Sequence, residues 1–152
     1  MCIRDRVWGY IAGNEVNSHW FWANMGLAPS GKVVEAYEKA VRAIHTAVRT
    51  RSAHARVYIS LDHWWSERYP AGDDKQCAPG RSFLDAFTAA VRQNGDFDWH
   101  VAHHPYPEPL NDCRFWLDKR NSPQAPNARV VTFRNLEVLT RHLEEDLSLI
   151  HI

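Results

Sequence analysis

Residues 7–17 read VWGYIAGNEVN, an apolar stretch that leads into a carboxylate with an amide on either side. The continuous apolar run over residues 7–12 is typical of a strand that is buried on both faces in a parallel sheet. Glu15 follows this strand, and a carboxylate at the edge of a core is costly to hold there unless it is hydrogen-bonded or used. The stretch therefore predicts a parallel sheet with a functional carboxylate at the carboxyl end of its first strand.

Strands and helices alternate along the rest of the chain. Residues 56–61 and 98–103 are rich in β-branched and aromatic residues and predict two further strands. Apolar side chains at three-and-four spacing predict helices over residues 32–49, 82–93 and 135–145. The order strand, helix, strand, helix, strand, helix predicts a parallel sheet with helical crossovers.

The helix over residues 32–49 has the clearest pattern. Its apolar stripe begins at Val33 and ends at Val48. Glu38 and Arg42 are spaced as an i,i+4 ion pair, and we expect both on the solvent-exposed face.

The loop lengths refine the fold class. The predicted helix-to-strand connections are short, whereas the strand-to-helix connections are long and carry aromatic and polar residues. In (β/α)8 barrels the long loops at the carboxyl ends of the strands build the active site. The sequence therefore predicts an α/β fold in which about three βα units form part of a (β/α)8 TIM barrel. A doubly wound open sheet has the same order and stays the alternative, although the Gly-rich phosphate-binding turn expected after its first strand is not present.

The two ends of the chain share an unusual relation. Met1 to Arg6 and Leu147 to Ile152 can be encoded by one short DNA segment and its reverse complement. We therefore expect residues 1–6 and 147–152 to be the translation of a sequencing adapter. Residues 7–146 would then be an internal part of a longer protein, and the ends are excluded from the fold argument.

The composition narrows the functional classes. Basic and acidic residues number 18 each, so the formal net charge is zero, and nothing indicates a nucleic-acid partner. No apolar run is long enough to cross a membrane. The seven tryptophans fall partly in loop-like segments, which suits a ligand surface. Cys77 and Cys113 could form a disulfide or remain free thiols.

Polar and aromatic side chains follow each predicted strand. Such a set can protonate a leaving group, hold sugar hydroxyls and stack on pyranose rings, as glycoside hydrolysis requires. We therefore predict a carbohydrate substrate, with no cofactor. The candidate site residues are Asn14, Glu15, Asn17, His19 and Trp20 after the first strand, Asp62, His63, Trp64 and Trp65 after the second, and His103, His104 and Tyr106 after the third.

A strand that ends in Asn-Glu, followed two strands later by His and Tyr, resembles the retaining glycoside hydrolases of the large (β/α)8 clan often called clan A. Residues 13–20 (GNEVNSHW) and 99–107 (WHVAHHPYP) look most like an uncharacterised family of barrel proteins in the glycosidase superfamily. The resemblance covers nearly all of residues 7–146. It implies that the three strands here are the fourth, fifth and sixth of the barrel.

The resemblance also implies roles for individual residues. Glu15 would be the general acid/base, and Asn14 would hydrogen-bond the sugar 2-hydroxyl. His104 and Tyr106 match the His and Tyr of the sixth strand, where Tyr typically orients the nucleophile, and His103 could replace His104. The nucleophile itself would be a Glu on the seventh strand, which is expected beyond residue 146. A carbohydrate-active enzyme of this kind favours a secreted or periplasmic location.

Three other interpretations remain open. The barrel could bind carbohydrate without cleaving it, and Glu15 could be a structural carboxylate that pairs with an arginine. A metal-dependent hydrolase is the third. Its ligands would come from His100, His103, His104, Asp62 and His63, although no tightly spaced metal motif is present.

Overall fold

A computed structural model describes residues 7–148, so the predicted adapter residues 1–6 and 149–152 lie outside the described part. Its sheet contains β1 (Gly9–Ala12), β2 (Arg56–Leu61) and β3 (His100–His103). All pairing is parallel, in the order β1-β2-β3. The α/β class and the parallel sheet are confirmed. The second strand has the predicted bounds, whereas β1 and β3 each begin two residues later than predicted.

Within residues 7–148 four α-helices accompany the sheet. They are α1 (His19–Trp22), α2 (Ser30–Arg49), α3 (Gly80–Gln93) and α4 (Glu137–Arg141). A proline stands directly before α2 and before α3, where its fixed φ suits the entry to a helix. The helix predicted over residues 135–145 is present, but its last part, His142–Asp146, winds as a π-helix. The short α1 was not predicted. None of the helices in the described part of the chain is long and apolar enough to cross a membrane.

The helices α2 and α3 pack on each other and on one face of the sheet. The ring of Tyr37 on α2 lies 5.6 Å from that of Phe87 on α3, measured between centroids. Beneath them Val57, Ile59 and Leu61 are fully buried. Their alternate positions on β2 place them on one face of the strand. The amphipathic stripes of both helices therefore meet the apolar face of the sheet, as their periodicity predicts.

The opposite face of the sheet carries a row of side chains from all three strands. The ring of Tyr58 leans over Gly9, where an added Cβ would lie 2.7 Å from it. The same ring lies 5.2 Å from the imidazole of His100. On this face Ile11 remains 58% exposed. No described helix covers this side of the sheet.

Glu38 corrects one prediction about α2. Its ion pair with Arg42 forms as expected, but the Glu38 side chain is only 2% exposed. Arg42 also donates to the carbonyl of Gly95 at 2.7 Å, and Asn94 donates to Glu38 at 3.4 Å. The end of α3 thus covers this carboxylate, and its placement on the solvent-exposed face was wrong. Cys77 and Cys113 are free thiols.

Tyr37 also connects α2 to the carboxyl end of the sheet. Its hydroxyl donates to the carbonyl oxygen of Ala12 and accepts the backbone N–H of Ser60 at 3.3 Å. The hydroxyl thereby satisfies one backbone group on each of two neighbouring strands where β1 turns away from β2. Burial raises the pKa of this phenol well above its usual range, so the hydroxyl keeps its proton.

Replacing Tyr37 with phenylalanine should lower the free energy of unfolding by about 1–3 kcal/mol, because it leaves two buried backbone groups without a partner. Urea denaturation followed by circular dichroism measures the loss. Tyr10→Phe is the matched control, since Tyr10 is 42% exposed, and a surface change of this kind costs less than about 0.5 kcal/mol. Equal losses in the two variants would contradict the role assigned to the Tyr37 hydroxyl.

The chain should associate in solution. Trp8 is 83% exposed and Ile11 58% exposed beside β1, and within residues 7–148 the outer edges of β1 and β3 have no strand partner. Exposed apolar surface next to an open edge favours self-association. Sedimentation velocity should show association that grows with concentration and is reduced in Trp8→Lys/Ile11→Lys. Leu27→Lys, a change at a loop residue that is 61% exposed, should not reduce it. A monomer at all concentrations would be the opposite result.

Candidate active site at the carboxyl ends of the strands

The loop after β1 holds Glu15 in an uncommon backbone conformation. Glu15 has φ 45° and ψ 52°, in the left-handed region, and Gly13 just before it has φ 79°. The Glu15 N–H donates to the Ser60 hydroxyl of β2 at 2.9 Å, and its carbonyl accepts the N–H of Ser18 at 2.9 Å. Non-glycine residues in this region are sparse and concentrate at functional sites. The turn places the Glu15 side chain back over the end of the sheet.

Glu15, Ser60 and His104 form a closed ring of hydrogen bonds. Nδ1 of His104 lies 2.7 Å from Oε1 of Glu15, and Nε2 of His104 lies 3.3 Å from the Ser60 hydroxyl. A carboxylate only accepts, so Nδ1 carries the hydrogen and Nε2 accepts the hydroxyl hydrogen of Ser60. Ser60 in turn accepts the N–H of Glu15. All three strands contribute to this ring, which holds a carboxylate that is only 6% exposed.

Tyr106 adds a hydroxyl group on the solvent side of this ring of hydrogen bonds. Its hydroxyl lies 3.2 Å from Nδ1 of His104. Because the hydrogen on Nδ1 goes to Glu15, the Tyr106 hydroxyl hydrogen is free to donate to the Glu15 carboxylate. Burial and this hydrogen bond both raise the pKa of Tyr106. Tyr106 is 40% exposed, and Asn14 beside Glu15 is exposed as well, so the cluster can be reached from solvent.

Asn17 and Asp62 bind each other beneath the site. The Asn17 amide donates to Oδ1 of Asp62 at 2.7 Å and accepts the Asp62 N–H at 2.9 Å. Asp62 also accepts the Ser18 hydroxyl and the N–H of Trp64 at 2.9 Å. Burial raises the pKa of the Asp62 carboxyl, and the hydrogen bonds from Ser18 and Asn17 oppose that rise. Both side chains form their hydrogen bonds inside the protein, and these bonds connect the loop after β1 to the residues after β2.

The other histidines of the predicted set are also largely enclosed. His19 is fully buried, with Nε2 2.8 Å from the carbonyl of Lys75. His103 is half-buried, and its Nε2 donates to the carbonyl of Val131 at 2.9 Å. Burial of its ring nitrogens lowers the pKa of His103 to about 4, so this ring is neutral at physiological pH. His63 is buried at the end of β2.

The predicted aromatic residues divide into two groups. Trp64 and Trp65 are 4% and 1% exposed, because residues 126–131 return along the loop after β2. Trp64 forms an antiparallel bridge with Val130, and the Trp65 indole donates to the carbonyl of Pro126 at 3.2 Å. Trp20 is 44% exposed. Of the three predicted tryptophans, therefore, it is Trp20 whose side chain is exposed to solvent.

Two residues of the site were missing from the predicted set. Ser60 is a small polar residue inside a strand, and no sequence signal marks it. Glu108 lies 3.4 Å from Nε2 of His63, in the proline-rich loop after β3. A search for carboxylates after every predicted strand would have included it. Among the described residues, no three His, Cys, Asp or Glu side chains converge as metal ligands do.

The fold and this cluster define the class of protein: an α/β chain whose parallel strands deliver a buried Glu–His pair and a tyrosine to one edge of the sheet. Residues 4–150 match a family described as "Family of unknown function (DUF5722)". The chain belongs to this family.

No curated protein matches the chain, and no solved structure matches it.

The buried His103 should make the protein less stable in mild acid. Its pKa is about 4 when folded, against an ordinary value of 6.5, so between these pH values the unfolded chain binds a proton that the native protein does not. The free energy of unfolding should therefore fall as the pH drops from 6.5 to 4, by about 3 kcal/mol in all. This contribution is fully present above pH 6.5.

Urea midpoints at pH 7 and pH 4.5 measure this effect. In His103→Gln, where the amide can still donate to the Val131 carbonyl, the difference between the two midpoints should shrink. His54→Gln is the control, because His54 is exposed and should leave the difference unchanged. A difference that is equally large in His103→Gln would show that other groups cause the acid sensitivity.

Proposed function

We propose that this protein is a carbohydrate-active enzyme that cleaves O-glycosidic bonds with two carboxylates, in which Glu15 is the general acid/base. The observation that carries the proposal is the ring of Glu15, Ser60 and His104, with the Tyr106 hydroxyl beside it. Holding a carboxylate at 6% exposure through partners from β2 and from the loop after β3 is costly for a merely structural group. Such placement is what an acid/base residue requires.

We further propose that the sheet is part of a (β/α)8 barrel. Consecutive parallel strands with α2 and α3 adjacent on one face support this assignment. The face that carries Gly9, Tyr58 and His100 has no described helix, and the Gly-rich turn of a doubly wound sheet does not follow β1. In a barrel this face would point inward, where side chains from neighbouring strands form layers.

The proposed reaction has two steps. In the first, the carboxyl group of Glu15 gives its proton to the glycosidic oxygen as the C–O bond breaks, and a second carboxylate bonds to the anomeric carbon. In the second, Glu15 takes a proton from water while the water oxygen displaces that carboxylate, which restores both groups. We place the second carboxylate on a further strand of the barrel.

The neighbours of Glu15 suit this cycle. His104 fixes one carboxylate oxygen through Nδ1–H, and Ser60 fixes the tautomer of His104 by donating to Nε2. Tyr106 supplies a hydroxyl at the solvent side of the carboxylate. Asn14 is exposed next to Glu15 and is proposed to hydrogen-bond a sugar hydroxyl, while Trp20 offers an exposed ring on which a pyranose could stack.

Glu15→Gln should abolish the hydrolysis of glycosides with a poor leaving group, because the amide cannot supply a proton. We expect kcat/KM for such glycosides to fall at least about a hundredfold, whereas kcat/KM for a dinitrophenyl glycoside, whose leaving group departs without a proton, should be much less affected because it reports the first step alone. The measurement is steady-state kinetics on a panel of aryl glycosides with the complete protein. Glu144→Gln, at an exposed carboxylate of the π-helix, is the matched control.

Full activity of Glu15→Gln toward the poor leaving group would overturn the assignment. A protein that binds oligosaccharide, as seen by calorimetry, and turns over none of the panel would instead support a carbohydrate-binding barrel. The exposed ring of Trp20 is compatible with both outcomes, so turnover decides between them.

A further inference from the structure

A second carboxylate has the same kind of partner as Glu15. Oε2 of Glu108 lies 3.4 Å from Nε2 of His63, just as a carboxylate oxygen of Glu15 lies beside His104. His63 is the second residue after β2 and its side chain is only 5% exposed, whereas Glu108 keeps 23% of its side chain exposed. The pair therefore connects the end of β2 to the proline-rich loop after β3.

The ring of Tyr106 contacts the imidazoles of both pairs. Its centroid lies 5.6 Å from that of His104, with the ring planes at 88°. It lies 5.7 Å from that of His63, with the planes at 89°. Edge-to-face contacts of this kind are favourable beyond the area that they bury, because they depend on the mutual orientation of the rings. The orientation of Tyr106 therefore depends on two histidines, each of which has its own carboxylate.

Glu108 provides the hydrogen bond that holds His63. A carboxylate accepts, so Nε2 of His63 donates to Glu108, and this selects the tautomer of the ring. Within residues 7–148 the other ring nitrogen, Nδ1, is buried without a hydrogen-bond partner. The charged or titratable groups around His63 are Glu108, His103 and Asp62. Asp62 is already bound by Asn17 and Ser18, which leaves Glu108 to orient the ring.

We propose that Glu108 is a positioning residue of the candidate site: it orients His63, which holds the Tyr106 ring so that its hydroxyl stays beside Glu15 and His104. Glu108 acts through these neighbours, not on the glycoside itself. The consequence for turnover rests on the proposed function, but the coupling between the two pairs can be measured without a substrate.

Imidazole ¹⁵N spectra of the protein test the coupling. Glu108→Gln should move the ring signals of His63, because a neutral acceptor replaces the charged one, and also those of His104, which it reaches only through Tyr106. Asp112→Asn is the control: Asp112 is another carboxylate of the same loop, paired with Arg114 at 2.8 Å, and its loss should move neither histidine. Glu108→Asp, which retains the charge, should restore part of the His63 signal.

A further variant, Tyr106→Phe, tests whether the coupling depends on the Tyr106 hydroxyl. It removes the hydroxyl beside His104 and keeps the ring contacts, so in this background Glu108→Gln should still move His63 but should move His104 much less. His104 signals that are unchanged by Glu108→Gln in the native background overturn the proposal. His104 signals that move equally with and without the Tyr106 hydroxyl overturn it as well.

Kinetics provide a second readout. Glu108→Gln should lower kcat roughly ten- to a hundredfold, since a small misplacement at the site is enough for such a loss, and KM should stay within about twofold. A large rise in KM with kcat unchanged would mark Glu108 as a direct ligand of the substrate and overturn the positioning role. If the spectra show the coupling but no glycoside is cleaved, the positioning of Tyr106 stands and the proposed function fails.

Discussion

The Tyr37 hydroxyl joins the helix layer to the end of the sheet at the point where the candidate site begins. It donates to the carbonyl of Ala12, the last residue of β1, and accepts the N–H of Ser60 on β2. The Ser60 side chain then binds the N–H of Glu15 and lies beside His104. One residue of the core thus fixes the backbone of Ser60, and Ser60 fixes both members of the Glu–His pair.

This arrangement explains how a carboxylate can be held at an almost closed position. A buried charged or polar group is tolerated when its hydrogen bonds are satisfied, and the bonds of Glu15 come from neighbours that are themselves satisfied. The hydrogen bonds among Asn17, Ser18 and Asp62 likewise satisfy polar groups of the residues that follow Glu15. The loop after β1 is therefore held at Glu15, Asn17 and Ser18 by polar bonds to Ser60 of β2 and to Asp62 just after it, which gives the site a rigid base.

Periodicity predicted the elements because their apolar residues meet one face of a sheet, and the stripes of α2 and α3 do so. It could not predict the burial of Glu38, because this depends on where Asn94 and Gly95 at the end of α3 come to lie. In the same way, the burial of Trp64 and Trp65 depends on the return of residues 126–131 through a long proline-rich loop. Contacts between segments that are far apart along the chain produce no periodic pattern of apolar residues in the sequence.

The site was predictable in part, for a reason that the geometry makes clear. The carboxyl ends of neighbouring parallel strands meet at one edge of the sheet, so residues that follow the strands come together whatever the loops do. Glu15, His104 and Tyr106 were identified by this rule, and His104 lies within hydrogen-bonding distance of both Glu15 and Tyr106. The rule does not identify Ser60, because this residue lies inside β2 and its role depends on the direction of a single hydroxyl.

The backbone of Glu15 carries a further argument for use of its side chain. A left-handed conformation costs a residue with a Cβ about 1–2 kcal/mol, and glycine would adopt it without that cost, as Gly13 does two residues earlier. The turn tolerates glutamate only because Ser60 and Ser18 bind its N–H and carbonyl groups. Those two bonds would serve glycine equally well, so they do not account for the carboxylate. What glutamate adds at this position is the contact with His104 and Tyr106, and that contact is the one that faces solvent.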